Sequence, residues 1–266
     1  MNEQVLLEIR GAVATLTLNR PQAMNSLGQE MAQALLARAE ELQQAAGVKV
    51  VVVTGAGDHF MAGGDIKEFK GIIAAAPEQR QQAFHDMISD YVHPAIEILR
   101  GLPQPVVAKV RGACAGFGFS LMAGCDLAVV ADNAYFTTGY ALLGTSADGG
   151  STWFLPRLIG AKRAAELMLL AERIDAQQAL SLGLVNRVVP LAELDAACAA
   201  LAQRLAAGPA QAHAGTKRLL GQSLLTPLTE QLGAEAQSFA RCSATADFAE
   251  GVAAFIEKRK PAFKGH

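Results

Sequence analysis

The chain is poor in the residues that mark several classes of protein. Its 266 residues include only 4 cysteines, 5 histidines and 1 tryptophan. The histidines form no ligand cluster, so we expect no metal site. The cysteines have no paired spacing, which indicates reduced core thiols in a cytoplasmic protein rather than disulfides. They are Cys114, Cys125, Cys198 and Cys242.

An excess of charge of either sign is also missing. The formal net charge is −2, and 18% of the residues are charged. A surface that binds nucleic acid or an anionic membrane needs a basic excess, so neither partner is expected. No stretch approaches the roughly 20 uninterrupted apolar residues of a membrane span. Met1–Arg10 alternates like a strand and carries two glutamates, so it does not read as a signal peptide.

Hydrophobic residues are plentiful, at 51% of the chain, enough for one large buried core. Val5–Ile9 and Val13–Leu18 alternate in period two, which predicts a hairpin. Three short apolar runs then have the pattern of strands buried on both faces. They lie at Val48–Val53, Val106–Val110 and Leu127–Ala131. Loops and helical patterns separate them, at Asn25–Ala46 and Glu78–Leu99 among others, which predicts parallel strands with helices packed outside.

From Ala161 onward the pattern is helical almost throughout, and only 184–189 resembles a strand. The predicted helices are Ala161–Leu170, Ala176–Leu182, Leu191–Ala207, Ala210–Leu220 and Pro227–Phe255. We therefore predict an α/β protein with a core over residues 1–195 and a helical C-terminal region over residues 196–266.

Two loops rich in small residues follow the predicted strands. Phe60–Lys67 and Arg111–Ser120 lie where open α/β folds place their ligand crevices, and each leads into a helix. One free N–H group from each loop could converge on a single oxygen, which is the geometry of an oxyanion hole. Either loop alone is weak evidence, because most such turns bind nothing and neither matches a nucleotide-binding fingerprint in full. Together they indicate a ligand site.

Several segments resemble, in order, the motifs of the crotonase (enoyl-CoA hydratase/isomerase) family. Asn19–Leu27 resembles its first coenzyme-A loop, and Phe60–Lys67 resembles its first oxyanion loop. Lys109–Asp126 resembles the second oxyanion loop and Phe255–Phe263 the C-terminal tail, while segments 144–160 and 176–189 also fit. The resemblance covers essentially the whole chain. It implies a crotonase-like ββα spiral core and a helical C-terminal region that forms a homotrimer, or a hexamer made of two trimers.

The resemblance also implies an acyl-CoA substrate, with coenzyme A as part of the substrate and no separate cofactor. It places the oxyanion hole at the backbone N–H groups of Gly64 and Phe117. Phenylalanine departs from the usual glycine or alanine at the second position, but a backbone amide does not depend on its side chain. Contacts with coenzyme A or substrate are implied at Ala23, Met24, Ala62, Asp65, Ile66, Tyr140, Phe255 and Lys258. For Phe255 and Lys258 the plainer alternatives are core packing and a solvated helix face.

The reaction depends on which carboxylates are present. Hydratases of this family use two glutamates, and Ser120 and Tyr140 occupy those two positions here. Neither is a general base near neutral pH, since a serine hydroxyl needs an activator and tyrosine titrates at about 10. Asp148 is the carboxylate that remains in the expected neighbourhood, with Trp153, Phe154 and Phe136 expected to supply apolar surroundings that raise its pKa.

Asp148 could be a helix N-cap or a catalytic residue, and the residues alone do not separate the two. Some double-bond isomerases of the family carry an aspartate at this position, which favours catalysis. We therefore predict an enoyl-CoA isomerase that moves a proton from C2 to C4 of a 3-enoyl thioester. The alternatives are an enoyl-CoA hydratase that uses Asp148 and Tyr140, and a catalytically weak homologue that only binds acyl-CoA or a protein partner.

Overall fold

The computed structural model describes residues 3–265. Nine strands are found in this part of the chain: β1 (Val5–Arg10), β2 (Val13–Leu18), β3 (Val50–Gly55), β4 (Val106–Val110), β5 (Ala113–Ala115), β6 (Leu127–Ala131), β7 (Tyr135–Thr137), β8 (Ile174–Asp175) and β9 (Arg187–Val189). The α-helices are α1 (Gln29–Gln44), α2 (Ile66–Ile73), α3 (Pro77–Met87), α4 (His93–Gly101), α5 (Phe117–Gly124), α6 (Ser151–Ile159), α7 (Ala161–Leu170), α8 (Ala176–Leu182), α9 (Leu194–Ala206), α10 (Ala210–Gln222), α11 (Leu228–Ser243) and α12 (Ala246–Ile256). The predicted α/β class is confirmed.

The main sheet has six strands in the order β1-β2-β3-β4-β6-β9. β1 and β2 form the predicted antiparallel hairpin, and every later neighbour pairs in parallel. Every residue of β3 is buried. Val51 and Val53 face one hydrophobic cluster while Val50 and Val52 face another, so both faces of the sheet are covered. This explains the unbroken valine run.

A smaller sheet, in the order β5-β7-β8, lies beyond the carboxyl ends of the main strands. β5 follows β4 after Arg111 and Gly112, and β7 follows β6 after three residues. Each short strand therefore turns the chain away from the main sheet before the next helix or loop begins. This second layer positions the loops that were predicted to bind a ligand.

Two predicted helices are interrupted. Between α3 and α4 the chain forms a π-helical turn, Ile88–Val92, in which the His93 amide bonds to the Ile88 carbonyl. Pro94 explains it, because proline has no amide for the carbonyl four residues earlier. The predicted helix Pro227–Phe255 is wrong as one element: α11 ends at Ser243, and the Thr245 hydroxyl caps α12 by accepting from the Phe248 amide at 3.1 Å.

The predicted boundary at residue 196 falls inside α9 (Leu194–Ala206). α9 packs Leu194, Cys198 and Leu201 against the valines of β3, β4 and β6, so it belongs to the core. α10 has no fully buried residue and is held instead by Lys217, which pairs with Asp126 at 2.7 Å. By packing, the separate helical region therefore starts at α10. Within residues 3–265 no helix is both long enough and apolar enough to span a bilayer.

Candidate active site

The two glycine-rich loops touch at a pair of glycines. Gly63 (φ 90°) and Gly116 (φ 51°) both adopt left-handed backbone conformations. A Cβ atom built on Gly116 would lie 3.2 Å from the Gly63 Cα. The Ala115 amide ties the loops together by donating to the Met61 carbonyl at 2.8 Å. The small residues of both loops therefore permit this close approach.

The two predicted oxyanion donors immediately follow these glycines. Leu27 bonds to the residues on either side of Gly64, which turns the Gly64 N–H away from Leu27. Phe117 is the first residue of α5, where an amide has no partner within the helix. Across residues 3–265 neither amide donates to a protein acceptor. Two unpaired donors at the contact of two loops are what an oxyanion hole requires.

Asp148, Tyr140 and Ser120 form one hydrogen-bonded cluster. The Tyr140 hydroxyl donates to Asp148 Oδ1 at 2.5 Å. Ser120 Oγ lies 3.1 Å from the Tyr140 hydroxyl oxygen and donates to the main-chain oxygen of Asp148 at 2.9 Å. Ser120 is fully buried, whereas the other two side chains are half-buried. The residues at the family's two glutamate positions are thus both joined to the aspartate.

Asp148 is not a helix cap. α6 begins at Ser151 and its N-cap is Gly150, with no side-chain capping bond. Gly149 and Gly150 both have positive φ and carry the chain from Asp148 into the helix. A Cβ atom on Gly149 would lie 2.8 Å from the Phe117 ring, so this turn packs directly on the residue that supplies the second amide. The capping alternative is excluded.

Burial raises the pKa of the Asp148 carboxyl, while the Tyr140 hydrogen bond and the nearby His93 oppose the rise. Burial and the adjacent Asp148 charge raise the pKa of Tyr140, so its hydroxyl keeps its proton at neutral pH. His93, at the start of α4, was not anticipated from the sequence. Its approach to Asp148 depends on helix packing, which leaves no local sequence signal.

The aromatic surroundings of Asp148 differ in part from the prediction. Phe154 packs over Gly150, and Phe117 packs over Gly149. Phe136 is instead fully buried in the main core. Trp153 lies under the Arg157 guanidinium and faces a separate cavity of about 560 Å³ between α4, α10 and α11. Of the three aromatic residues predicted around Asp148, the structure places Phe154 beside the turn that carries it.

The family model for enoyl-CoA hydratase/isomerase matches residues 8–266. The chain belongs to this family. An enoyl-CoA hydratase from Polaromonas sp. JS666 has a crystal structure that superposes with a TM-score of 0.89, at 35% identity over 98% of this chain and 99% of that one. The predicted crotonase fold, with its helical C-terminal region, is therefore confirmed.

Two relatives show the range of activities in the family. A protein of Rhodobacter capsulatus named "probable enoyl-CoA hydratase" is 36% identical over 97% of this chain and 96% of its own length. The 1,2-epoxyphenylacetyl-CoA isomerase of Escherichia coli is 33% identical over the full length of both chains. Our chain is accordingly an acyl-CoA enzyme of the enoyl-CoA hydratase/isomerase type, which leaves the choice between the two reactions to the site.

The predicted coenzyme-A residues of the first loops lie together on one side of the site. Met24 and Ile66 expose 44% and 53% of their surface, and Ala23 and Ala62 are half-buried. The Ala62 amide donates to the Met24 carbonyl at 3.0 Å and so joins the two segments. Exposed apolar side chains beside an oxyanion hole suit a pantetheine chain, and these contacts remain predictions.

Asp65 has a role in the fold that the sequence did not reveal. Its carboxylate caps α2 by accepting from the amides of Lys67 and Glu68, at 2.9 and 3.2 Å. It also pairs with Arg20 at 2.6 Å. Buried Asn25 (φ 56°) anchors the same segment by donating to three main-chain carbonyls. The polar groups of Asp65 therefore hold the first two loops in register, and its predicted contact with coenzyme A remains a prediction.

The tail residues lie on the surface of the single chain. Phe255 is 86% exposed, so the alternative that it packs in the core is wrong. Lys258 follows α12 and adopts a left-handed conformation with φ 53°. Their predicted contact with a nucleotide, often that of a neighbouring subunit in this family, stays a prediction.

Proposed function

We propose that this enzyme isomerises a 3-enoyl-CoA to a 2-enoyl-CoA, with coenzyme A entering as part of the substrate and no separate cofactor. The observation that carries the proposal is the half-buried Asp148 carboxylate. It caps no helix and accepts from the hydroxyl of Tyr140, one of the two residues that replace the glutamates of a hydratase. The other, Ser120, contacts the Tyr140 hydroxyl and donates to the main-chain oxygen of Asp148. One carboxylate with a raised pKa, beside two free amides, provides a single acid/base and a place for an oxyanion.

The proposed reaction uses these groups in two proton transfers. The Gly64 and Phe117 amides would bind the thioester oxygen, which acidifies the C2 protons. Asp148 would take a proton from C2, and the electron pair of the broken C–H bond would pass into a dienolate over O1, C1, C2, C3 and C4. Return of the same proton to C4 leaves a double bond between C2 and C3. No atom is gained or lost, so one carboxylate suffices.

The direct test offers purified protein a 3-enoyl-CoA and, separately, a 2-enoyl-CoA, with products resolved by chromatography and mass spectrometry. Isomerisation predicts a new peak of unchanged mass from the 3-enoyl-CoA. A gain of one water on the 2-enoyl-CoA, with no conversion of the 3-enoyl-CoA, contradicts the proposal.

Hydration of a 2-enoyl-CoA is the second candidate. Two observations favour it: relatives named as hydratases, and the 2.5 Å contact that puts a second proton-bearing group beside Asp148. Tyr140 is nevertheless a poor proton shuttle, because both burial and the adjacent charge disfavour its ionised form. The mass of the product separates the two candidates.

A homo-oligomer, either a trimer or a hexamer, is the proposed assembly. α11 and α12 expose several large apolar side chains, a surface that monomeric proteins avoid. Leu228, Leu232, Phe239, Phe248, Phe255 and Ile256 range from 42% to 86% exposed. A second copy of the same chain is the proposed cover, because the implied family fold forms trimers through this region.

We also propose a cytoplasmic location. The four cysteines are free thiols, and Cys114 and Cys198 are buried with no cysteine partner. Burial raises the pKa of the Cys198 thiol to about 11, so it is unreactive near neutral pH. Fractionation of cells that express a tagged chain tests the location.

A further inference from the structure

The two oxygens of the Asp148 carboxylate have different surroundings. Oδ1 accepts from the Tyr140 hydroxyl at 2.5 Å, whereas within residues 3–265 no protein donor bonds to Oδ2. The main-chain oxygen of Asp148 accepts from two further hydroxyls, Ser120 at 2.9 Å and Ser151 at 3.2 Å. Three hydroxyls thus fix one carboxylate oxygen and the backbone of the residue, and they leave the second carboxylate oxygen for a ligand.

Ser120 and Tyr140 support one another. A tyrosine hydroxyl has one proton to donate, and here it lies on the line to Asp148 Oδ1. Its oxygen is contacted at 3.1 Å by Ser120 Oγ, which is itself fixed by the Asp148 main chain. The single Ser120 proton can be shared between the Asp148 main-chain oxygen and the Tyr140 oxygen as a three-centre bond. Rotation of the Tyr140 proton away from Asp148 toward Ser120 would then bring the two protons together. A carboxyl group accepts on Oδ1 whether or not a proton sits on Oδ2, so this arrangement suits both protonation states.

We propose that Tyr140 and Ser120 are positioning residues, which hold Asp148 Oδ1 so that Oδ2 alone receives the substrate proton and returns it. This inference rests on the proposed isomerase function for the role of Oδ2. The holding of Oδ1 is independent of the reaction. A proton that stayed on Oδ1 would face Tyr140 instead of the substrate. Fixing one oxygen therefore keeps a single acid/base atom available for both proton transfers.

The charged and titratable groups around Asp148 determine how a variant should change the pKa of its carboxyl. Among the described residues they are Tyr140, which follows β7 and lies before α6, and His93 at the start of α4. The Tyr140 hydrogen bond favours the ionised carboxylate and burial opposes it. A hydrogen bond stabilises a charged group more than a neutral one. Loss of the Tyr140 hydrogen bond should therefore raise the pKa of Asp148.

The test measures the Asp148 titration directly, by ¹³C NMR of protein labelled at the aspartate carboxyl carbons, with Asp148→Asn to assign the signal. Tyr140→Phe should raise the pKa of Asp148 by about one unit. Tyr135→Phe is the matched control, since Tyr135 lies on β7 and stacks with Arg173 instead. This measurement needs no turnover, so a protein that fails as an isomerase still reports whether Tyr140 holds Oδ1. An unchanged or lowered pKa in Tyr140→Phe overturns the proposal.

A pair of serine variants tests the second positioning residue. Ser120→Ala should raise the pKa of Asp148 by less than Tyr140→Phe does. Ser151→Ala should leave it unchanged, because Ser151 bonds to the same main-chain oxygen without touching Tyr140. Equal shifts in the two serine variants would show that the Ser120–Tyr140 contact does not matter.

In the isomerase assay Tyr140→Phe should lower kcat roughly 10- to 100-fold with KM nearly unchanged. A KM increase at constant kcat would mean that Tyr140 only binds substrate, which contradicts a positioning role.

Discussion

The loops of the candidate site and the C-terminal helices differ in how many of their side chains find partners within one chain. Around the site, the side chains of Asp65, Ser120 and Tyr140 each have a protein partner, and the loops touch at glycines. In α11 and α12, by contrast, Phe239 and Phe255 are 69% and 86% exposed. The groups of the candidate site are therefore held together within a single chain, while the apolar surface of α11 and α12 is exposed in it.

This difference predicts that catalysis and assembly depend on different parts of the chain. A change inside the loops should alter catalysis and leave assembly intact, because the site's groups are held by bonds within the chain. A change on the exposed helix faces should alter assembly first. Any effect on activity would then come through the tail residues Phe255 and Lys258, whose predicted nucleotide contact is often, in this family, with a neighbouring subunit.

The largest expected effect is that of Asp148→Asn on turnover. Amide replaces carboxylate at nearly the same size, so the fold should persist while the sole proposed acid/base is lost. We expect a loss of roughly 10³-fold or more in kcat for the isomerisation of a 3-enoyl-CoA. Asp90→Asn, at an exposed position of the π-helical turn, is the control. Retention of most of the turnover would exclude Asp148 as the base.

Gly116→Ala should have the next largest effect, because it pushes the two loops apart. The added Cβ would meet Gly63 at 3.2 Å, and the backbone there already has φ 51°. Displacing one amide of an oxyanion hole costs roughly 10²-fold in kcat. Gly11→Ala is the matched control, since its φ is 59° with nothing within 4 Å of the added atom. If both variants lose the same activity, backbone strain rather than loop separation is responsible.

On the other side of the comparison, Phe239→Glu should break the oligomer. The side chain is 69% exposed and packs on Phe248, so a charge there leaves the single chain folded but disfavours an apolar interface. Light scattering should give a mass several times 27.9 kDa for the natural protein and 27.9 kDa for the variant. Gln237→Glu adds the same charge at an exposed polar position and should stay assembled. A natural protein that is already monomeric contradicts the proposed assembly.

Sequence reasoning located the elements well where local signals are strong. The helices Ala161–Leu170 and Ala176–Leu182 have the predicted bounds, and the buried valine strand was found. The helix break at Thr245 was missed although a capping threonine precedes an acidic first turn. The π-helical turn was missed because its cause, Pro94, is a single residue inside an otherwise regular pattern.

The candidate site was predicted as separate residues, and their arrangement was not predicted. Ser120, Tyr140 and Asp148 were each identified, yet their contacts span up to 28 positions along the chain. Only the packing of α5 against the turn before α6 brings them together. Whether Asp148 caps the helix was undecidable from the sequence, because the two following glycines move the helix start by their positive φ. The structural role of Asp65 likewise depends on Arg20, which lies 45 residues earlier.

The smallest expected effect is on stability, and it has the opposite sign to the effect on turnover. The pKa of Asp148 is raised in the folded protein above its ordinary value of 3.8, chiefly by burial. Between pH 3.8 and the raised pKa of the folded protein, the folded state binds more protons than the unfolded state. The free energy of unfolding therefore falls as the pH rises through this interval.

Asp148→Asn removes the cost of burying the ionised carboxylate. The variant should therefore be slightly more stable than the natural protein above the folded pKa, and the difference should shrink toward zero as the pH falls to about 4. Urea unfolding of both proteins at several pH values measures this difference in stability. A variant that is less stable than the natural protein at neutral pH contradicts the prediction. The hydrogen bonds of the carboxylate would then stabilise the loops by more than its burial costs.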